Sequence, residues 1–86
     1  MTDTLNDATF RRLVAVVLDN HDAPAEQLTP EATYLDLGVD SLTLVELSLR
    51  IERALGVEMG LDELTEDLTL AQTAHLIDTK LAARAA

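Results

Sequence analysis

Hydrophobic residues repeat with the period of an α-helix in three parts of the chain. In the first part the apolar positions follow the spacing i, i+3, i+4, i+7 and i+8, which is one face of an amphipathic helix. These positions are Phe10, Leu13, Val14, Val17 and Leu18. The pattern predicts a helix from about Leu5 to Asn20, because polar residues and then Pro24 interrupt the repeat.

The second predicted helix begins after Asp40 and ends at Gly56. An aspartate before the first turn can accept hydrogen bonds from free backbone N–H groups, and glycine suits the left-handed residue that follows many helices. Around the helix axis the apolar residues fall into two groups on nearly opposite sides. One group is Leu44, Leu47, Ile51 and Leu55, and the other is Leu42, Val45 and Leu49.

Only one of these two groups can face a core as small as this chain allows. We therefore expect the group that contains Leu42 to form an exposed apolar strip, with Glu46, Glu52 and Arg53 at its edges. An apolar strip with a charged rim is typical of a docking surface for a partner protein. The alternative is that a neighbouring loop of the same chain covers the strip.

The third helix is predicted to follow Thr69, because Thr69-Leu70-Ala71-Gln72 has the form of a capping box. Its buried stripe is expected to be Leu70, Ala74, Ile77 and Leu81. A short helical turn is expected at roughly Leu61 to Glu66. Residues 22–40 form a long connection whose expected apolar anchors are Leu28, Tyr34, Leu35 and Leu37. The sequence thus predicts an all-α bundle of three main helices and one short helix, with a long loop between helices one and two, in a single domain over residues 1–86.

Composition and charge exclude several classes of function. With 86 residues and no cysteine, the chain has room for one thin core, and it lacks disulfides, thiolate metal sites and a cysteine nucleophile. The two histidines, His21 and His75, lack the spacing of metal ligands, so we expect no metal. The net charge of −10 opposes nucleic acids and anionic lipids, so we expect neither as a partner. No signal peptide or membrane-spanning run is apparent, which favours a cytoplasmic protein.

The acidic residues are concentrated in the second half of the chain. Nine acidic and two basic residues lie between positions 36 and 67, around the expected apolar strip. Such a run is usually a solvated face. Beside an apolar strip it is also expected to steer basic partners and to raise their rate of encounter.

Ser41 is the residue whose position suggests chemistry. It follows the long loop, begins the second helix and borders the apolar strip, so a phosphate on its hydroxyl would meet free N–H groups and the positive end of the helix dipole. The alternative is that this serine is only part of the helix cap. A serine hydrolase is disfavoured, because its G-x-S-x-G elbow would need glycine at Val39 and Thr43. An EF-hand starting at Asp36 fails, because its twelfth position is Leu47.

The segment Leu37-Gly38-Val39-Asp40-Ser41-Leu42, followed by Val45-Glu46-Leu47 and later Leu55-Gly56-Val57, resembles the acyl carrier proteins. The resemblance extends over nearly the whole chain in helix order and spacing, and it implies the four-helix bundle of that family. It also implies that Ser41 carries 4′-phosphopantetheine, transferred from coenzyme A by a phosphopantetheinyl transferase that needs Mg²⁺. The chain would then be a carrier and not an enzyme.

The resemblance further implies that the terminal thiol of the arm holds acyl groups as thioesters. The expected partners are the transferase, an acyl-loading enzyme, and a ketosynthase or other acyl-processing enzymes with basic docking patches, acting on a monomeric carrier. The pathway would be fatty-acid synthesis or, preferably, polyketide or another specialised synthesis. The residues expected to contact these partners are Asp40, Leu42, Val45, Glu46, Leu49, Glu52, Asp62 and Glu63.

Three residues depart from the pattern of the family. Thr43 stands where many members have an acid, and Arg50 and Arg53 interrupt a face that is often more uniformly acidic. These departures favour a dedicated pathway. Two alternatives stay open at this point, an aminoacyl or peptidyl carrier and a helical adaptor without a prosthetic group. An adaptor should tolerate Ser41→Ala, whereas a carrier should lose all loading.

Overall fold

The computed structural model describes residues 7–20, 24–60 and 62–85. Three α-helices account for most of them: α1 (Asp7–Asn20), α2 (Ser41–Leu55) and α3 (Leu70–Ala85). The predicted all-α fold with three main helices is confirmed. The predicted start of α1 at Leu5, and His21, lie outside the described residues. None of the helices described is long and apolar enough to cross a membrane.

The core lies where α1 packs against both α2 and α3. It is almost entirely aliphatic, and Tyr34 is the aromatic residue within it. Phe10 of α1 and Leu81 of α3 are partly buried against its edge. The fully or nearly fully buried members are Leu13, Val17, Leu28, Ala32, Tyr34, Leu37, Val39, Leu44, Leu47, Ile51, Leu55, Val57, Met59, Leu64, Leu70, Ala74 and Ile77.

The start and the end of α2 are set by the two residues predicted from the sequence. Asp40 is the N-cap, and its Oδ1 accepts a hydrogen bond of 2.8 Å from Thr43 N–H. Gly56 follows the last turn with φ of 71°, in the left-handed region that only glycine adopts without strain. The first and last turns of α2 are therefore fixed by residues within the segment itself, which sets the position of Ser41 at its start.

The long connection between α1 and α2 contains a short 3₁₀ helix (Ala25–Gln27) and a series of turns over residues 33–38. Leu28, Tyr34 and Leu37 are buried, as predicted. Leu35 is not an anchor: 63% of its surface is exposed. Positions 34 and 37 share the inner side of the turn, and Leu35 N–H bonds to Glu66 O at 2.9 Å, which leaves its side chain facing outward.

The segment expected to form a short helix at roughly Leu61 to Glu66 contains turns instead. Leu61 lies outside the described residues, and residues 62–67 have no regular helix. Glu63 N–H donates to Gly60 O at 3.0 Å, and Leu68 N–H donates to Thr65 O at 3.2 Å. These are two separate turns without a continuous ladder between them, so the segment folds over the core through Leu64 without helical continuity.

Candidate functional site

Ser41 is the first residue of α2 and is exposed to solvent. The turn that precedes it is closed by backbone hydrogen bonds. The carbonyl oxygen of Tyr34 accepts hydrogen bonds from Leu37 N–H at 3.1 Å and Val39 N–H at 3.0 Å, and Gly38 between them has φ of 76°. Because Val39 is buried, the chain emerges from the core just two residues before the serine. The hydroxyl of Ser41 therefore stands on a fixed surface position.

The start of α3 shows what a closed helix N-terminus looks like in this protein. The N–H groups of residues 70–73 all have acceptors, so no free donors remain there. In chain order the acceptors are Ala32 O, Pro30 O, Thr69 Oγ1 and Thr69 O, at 2.9, 2.9, 3.0 and 3.0 Å. The predicted capping box is complete, because Thr69 N–H also donates to Gln72 Oε1 at 2.9 Å.

The start of α2 is different. Thr43 N–H bonds to Asp40 Oδ1 and Leu44 N–H bonds to Asp40 O at 2.9 Å. Among the described residues, no hydrogen-bond acceptor is present for the N–H groups of Ser41 and Leu42. Two free donors at the positive end of the helix dipole, next to an exposed hydroxyl, would stabilise the negative charge of a covalently attached phosphate. The residues present therefore fit a phosphate ester on Ser41.

The apolar strip of α2, Leu42, Val45 and Leu49, lies on the surface. These side chains are 69%, 42% and 48% exposed, respectively. Leu44, Leu47, Ile51 and Leu55 are buried on the other side of the helix. The predicted division of α2 into two faces is confirmed, and within the described residues no loop covers the strip. The strip begins directly beside Ser41.

The acidic residues predicted to contact partners have different surroundings. Glu46 and Asp62 are exposed. Asp40 is the cap of α2, and Oε2 of the half-buried Glu52 accepts a hydrogen bond of 3.0 Å from Met59 N–H. Two of the predicted contact acids therefore also hold backbone groups in place.

Glu63 contacts both a backbone amide and a lysine. Its Oε1 accepts from Gly60 N–H at 2.7 Å, and Lys80 Nζ lies 3.0 and 3.1 Å from its two oxygens. The hydrogen bond from Gly60, followed by that from Lys80, lowers the pKa of the Glu63 carboxyl. The pair links the turns at 62–67 to α3.

Sequence reasoning missed several contacts that support the site. Arg12 Nη2 donates to Ala54 O at 2.7 Å, which satisfies a carbonyl in the last turn of α2. The hydroxyl of Tyr34 donates to Thr73 Oγ1 at 2.9 Å, and burial raises the pKa of Tyr34 to about 12. Both contacts join residues far apart in sequence, so no local pattern indicates them. The exposure of Leu35 was also missed.

The described residues contain no cluster of histidine, cysteine and carboxylate side chains that could hold a metal ion. His75 is exposed on α3. Within this part of the chain, no histidine side chain is hydrogen-bonded to Ser41.

Comparison with known proteins gives a consistent result. A family model described as "Phosphopantetheine attachment site" matches residues 8–77. "Polyketide-8 synthase acyl carrier protein 2" of Streptomyces avermitilis is 38% identical over 81 residues, which cover 93% of this chain and 90% of that protein. "Acyl carrier protein" of Helicobacter pylori (strain G27) is 36% identical over 77 residues, covering 87% and 99%. The chain therefore belongs to the phosphopantetheine attachment site family, among the acyl carrier proteins, which hold 4′-phosphopantetheine covalently and are carriers rather than enzymes.

Proposed function

We propose that Ser41 is the residue that carries 4′-phosphopantetheine, and that this protein presents acyl groups on it to enzymes of a polyketide or other specialised pathway. The observation that carries the assignment is the difference between the two serines of the chain. Ser41 is exposed at the open start of α2. Ser48 is 2% exposed, and its hydroxyl donates to Val45 O at 2.7 Å.

The surroundings of Ser41 support a phosphodiester at this position. The N–H groups of Ser41 and Leu42 belong to the first turn of α2, so they have no acceptor within the helix and could donate to a phosphate on Ser41. The carboxylate of Asp40 is held by its bond to Thr43 N–H. The negative charge of the phosphate would therefore be balanced by the helix dipole, while the arm beyond it extends into solvent.

In the proposed loading reaction, coenzyme A is the donor of the 4′-phosphopantetheine group. The oxygen of the Ser41 hydroxyl attacks the pantetheine-side phosphorus of the pyrophosphate, and a new phosphodiester bond forms. The phosphoanhydride bond breaks, adenosine 3′,5′-bisphosphate leaves, and the hydroxyl proton passes to a base on the transferase. The attached group supplies a terminal thiol that binds acyl groups as thioesters. The chain itself supplies the hydroxyl, its exposed position and the docking face.

Intact-protein mass spectrometry tests the assignment. The unmodified protein is incubated with coenzyme A, Mg²⁺ and a broad-specificity phosphopantetheinyl transferase. The wild type should gain the mass of one phosphopantetheine, Ser41→Ala should gain none, and Ser48→Ala should still gain one. Ser48→Ala is the matched control because it removes the other serine hydroxyl of the same helix. Loading of Ser41→Ala, or an unmodified wild type, would show that Ser41 is not the attachment residue.

We infer that partners dock on the apolar strip and on the acids around it. The strip begins at the attachment residue, and Glu46 is exposed next to it. A basic partner would be attracted to this face from a distance, which raises the association rate more than the affinity. The proposed contact residues are those expected from the sequence: Asp40, Leu42, Val45, Glu46, Leu49, Glu52, Asp62 and Glu63.

A charge reversal tests the docking face. Glu46→Lys should reduce kcat/KM of acyl transfer to a ketosynthase with a basic docking patch, and the reduction should shrink as salt is added. Glu26→Lys is the matched control, because it makes the same change of charge at an exposed position in the 3₁₀ helix, away from the strip. Equal effects of the two substitutions would mean that net charge alone is responsible.

The choice of a polyketide or specialised pathway rests on the charges of α2. The relatives named above include both a polyketide synthase carrier and a carrier without a stated pathway, at similar identity. Arg50 and Arg53 place two cations on α2. The test compares acyl transfer from the loaded carrier to a polyketide ketosynthase with acyl transfer to a fatty-acid ketosynthase. We expect kcat/KM to be higher with the polyketide enzyme. A preference for the fatty-acid enzyme would contradict the proposal.

A further inference from the structure

The distal half of α2 carries a cation whose position is not explained by contacts with the residues that the structure describes. Three arginines surround this part of the molecule. Arg12 is bonded to Ala54 O, and Arg50 lies 3.5 Å from Asp19 Oδ2. Arg53 is exposed, and among the described residues no acidic or carbonyl partner is present for it. Its guanidinium is available to another molecule.

Arg53 is in line with the apolar strip. Arg53 lies eleven positions after Leu42. At about 100° per residue, the two side chains are therefore within about 20° of the same side of the helix. The rise of about 1.5 Å per residue places it about 6 Å beyond Leu49 and about 18 Å from Ser41. A partner that covers the strip from its start to its end therefore reaches Arg53.

The surface around Arg53 leaves room for a side chain of the partner. On one side lies a cleft of about 750 Å³, lined by Glu52, Arg53, Gly56, Val57, Glu58, Lys80 and Ala83. On the other lies a groove of about 290 Å³ between α1 and α2, which Arg53 also lines. The arginine thus lines two depressions, each of which also contains acidic residues: Glu52 and Glu58 in the first, and Asp19 in the second.

We propose that Arg53 selects the partner: the enzyme that docks on the apolar strip presents a base toward Glu46 and a carboxylate toward Arg53. This inference rests on the proposed function and specifies its docking partner. Along this face the acid Glu46 lies near Ser41, whereas Arg53 adds a cation at the far end, beside Glu52, whose Oε2 accepts from Met59 N–H. An enzyme whose docking patch is uniformly basic places one of its cations against Arg53. Like charges at an interface are unfavourable, so such an enzyme is discriminated against.

The test uses a bacterial fatty-acid ketosynthase chosen because only arginine and lysine surround its carrier-docking patch. Arg53→Glu should raise its kcat/KM for the loaded carrier about threefold to fivefold, and lower the Kd of the unloaded carrier in a titration by a similar factor. Arg53→Gln, which removes the charge without reversing it, should give an intermediate value. Arg11→Glu is the matched control on α1, and it should change neither quantity by more than a small factor. All differences should shrink at high salt.

The reciprocal change identifies the contact. When the ketosynthase base that faces the end of α2 is replaced by glutamate, wild-type carrier should gain affinity, and Arg53→Glu should lose it. A role for Arg53 only in stabilising the last turn of α2 would not produce this exchange of preference. The inference is overturned if, with the basic enzyme, Arg53→Glu leaves kcat/KM and Kd unchanged, lowers kcat/KM or raises Kd. It is also overturned if Arg53 binds acids of a second copy of the chain. That outcome would be seen as a concentration-dependent dimer of the wild type that Arg53→Glu abolishes.

Failure of this inference can be told apart from failure of the proposed function. Loading of Ser41 is measured first by mass spectrometry, and an unloaded wild type overturns the proposed function together with the inference. A loaded carrier whose Arg53 variants behave like the wild type leaves Ser41 as the attachment residue and overturns only the role of Arg53.

Discussion

Replacing Tyr34 by phenylalanine should change how the stability of the protein responds to alkaline pH. Tyr34 is fully buried, and its hydroxyl donates to Thr73 Oγ1. Burial raises the pKa of the phenol from 10.0 to about 12, because the phenolate would lose its hydration, while the hydrogen bond to Thr73 opposes the shift. The folded protein therefore keeps a proton that the unfolded chain releases above pH 10.0.

The size of the effect follows from the two pKa values. Each pH unit between them lowers the free energy of unfolding by about 1.4 kcal/mol, so the loss is about 2.3 kcal/mol at pH 12 and approaches about 2.7 kcal/mol above it. Tyr34→Phe removes this loss. At neutral pH it lacks one hydrogen bond, worth about 1 kcal/mol, although Thr73 still donates to Thr69 O at 2.9 Å. The wild type should therefore be more stable at neutral pH and less stable near pH 12, with equal stability at about pH 11.

Urea unfolding followed by circular dichroism, from about pH 8 to about pH 12, measures both proteins. The chain has one tyrosine and no tryptophan, so phenolate absorbance reports the ionisation of Tyr34 directly. A stability difference that is constant across this range, or a folded-state titration centred at pH 10.0, would refute the reasoning.

Three further predictions concern the fold that supports the site. Gly56→Ala should lower the free energy of unfolding by about 1 kcal/mol in thermal or urea unfolding, because φ at this position is 71°. Glu63→Gln should be less stable than the wild type at neutral pH, and urea titrations should show the difference shrinking as pH falls below about 4.5, since the stabilisation of a carboxylate with a lowered pKa is lost on protonation. Leu47→Ala should cost about 2–5 kcal/mol, whereas Leu49→Ala should cost less than about 1 kcal/mol, because the first side chain is buried and the second is 48% exposed; equal losses in urea unfolding would contradict the assignment of the two faces.

The features that the sequence predicted correctly have local causes. Asp40 and Gly56 act within one turn of α2, so its bounds follow from neighbouring residues. The capping box of α3 is also local. The two faces of α2 follow from helical periodicity and from the small size of the core. Because Ser41 is placed by these same local features, its exposed position at the start of α2 could be predicted as well.

The features that the sequence did not predict depend on contacts between distant segments. Leu35 is apolar, but it lies in a turn, its N–H is bonded to the distant Glu66 O, and its side chain is exposed. Arg12 reaches a carbonyl 42 positions away. Residues 62–67 form separate turns over the core, although their composition is compatible with a helix. None of these outcomes is determined by spacing within a single segment, so periodicity and capping rules could not supply them.

If Ser41 is the attachment residue, as proposed, the bonded turn before it shapes how the cargo is delivered. Hydrogen bonds to Tyr34 O and Asp40 Oδ1 hold the residues on either side of the hydroxyl, so the arm would leave the surface from a defined position. The volume that the cargo sweeps would then depend on the length and joints of the attached arm. For the cargo to reach a deep active site, the mouth of the enzyme's active-site channel would have to lie directly against the carrier surface around Ser41.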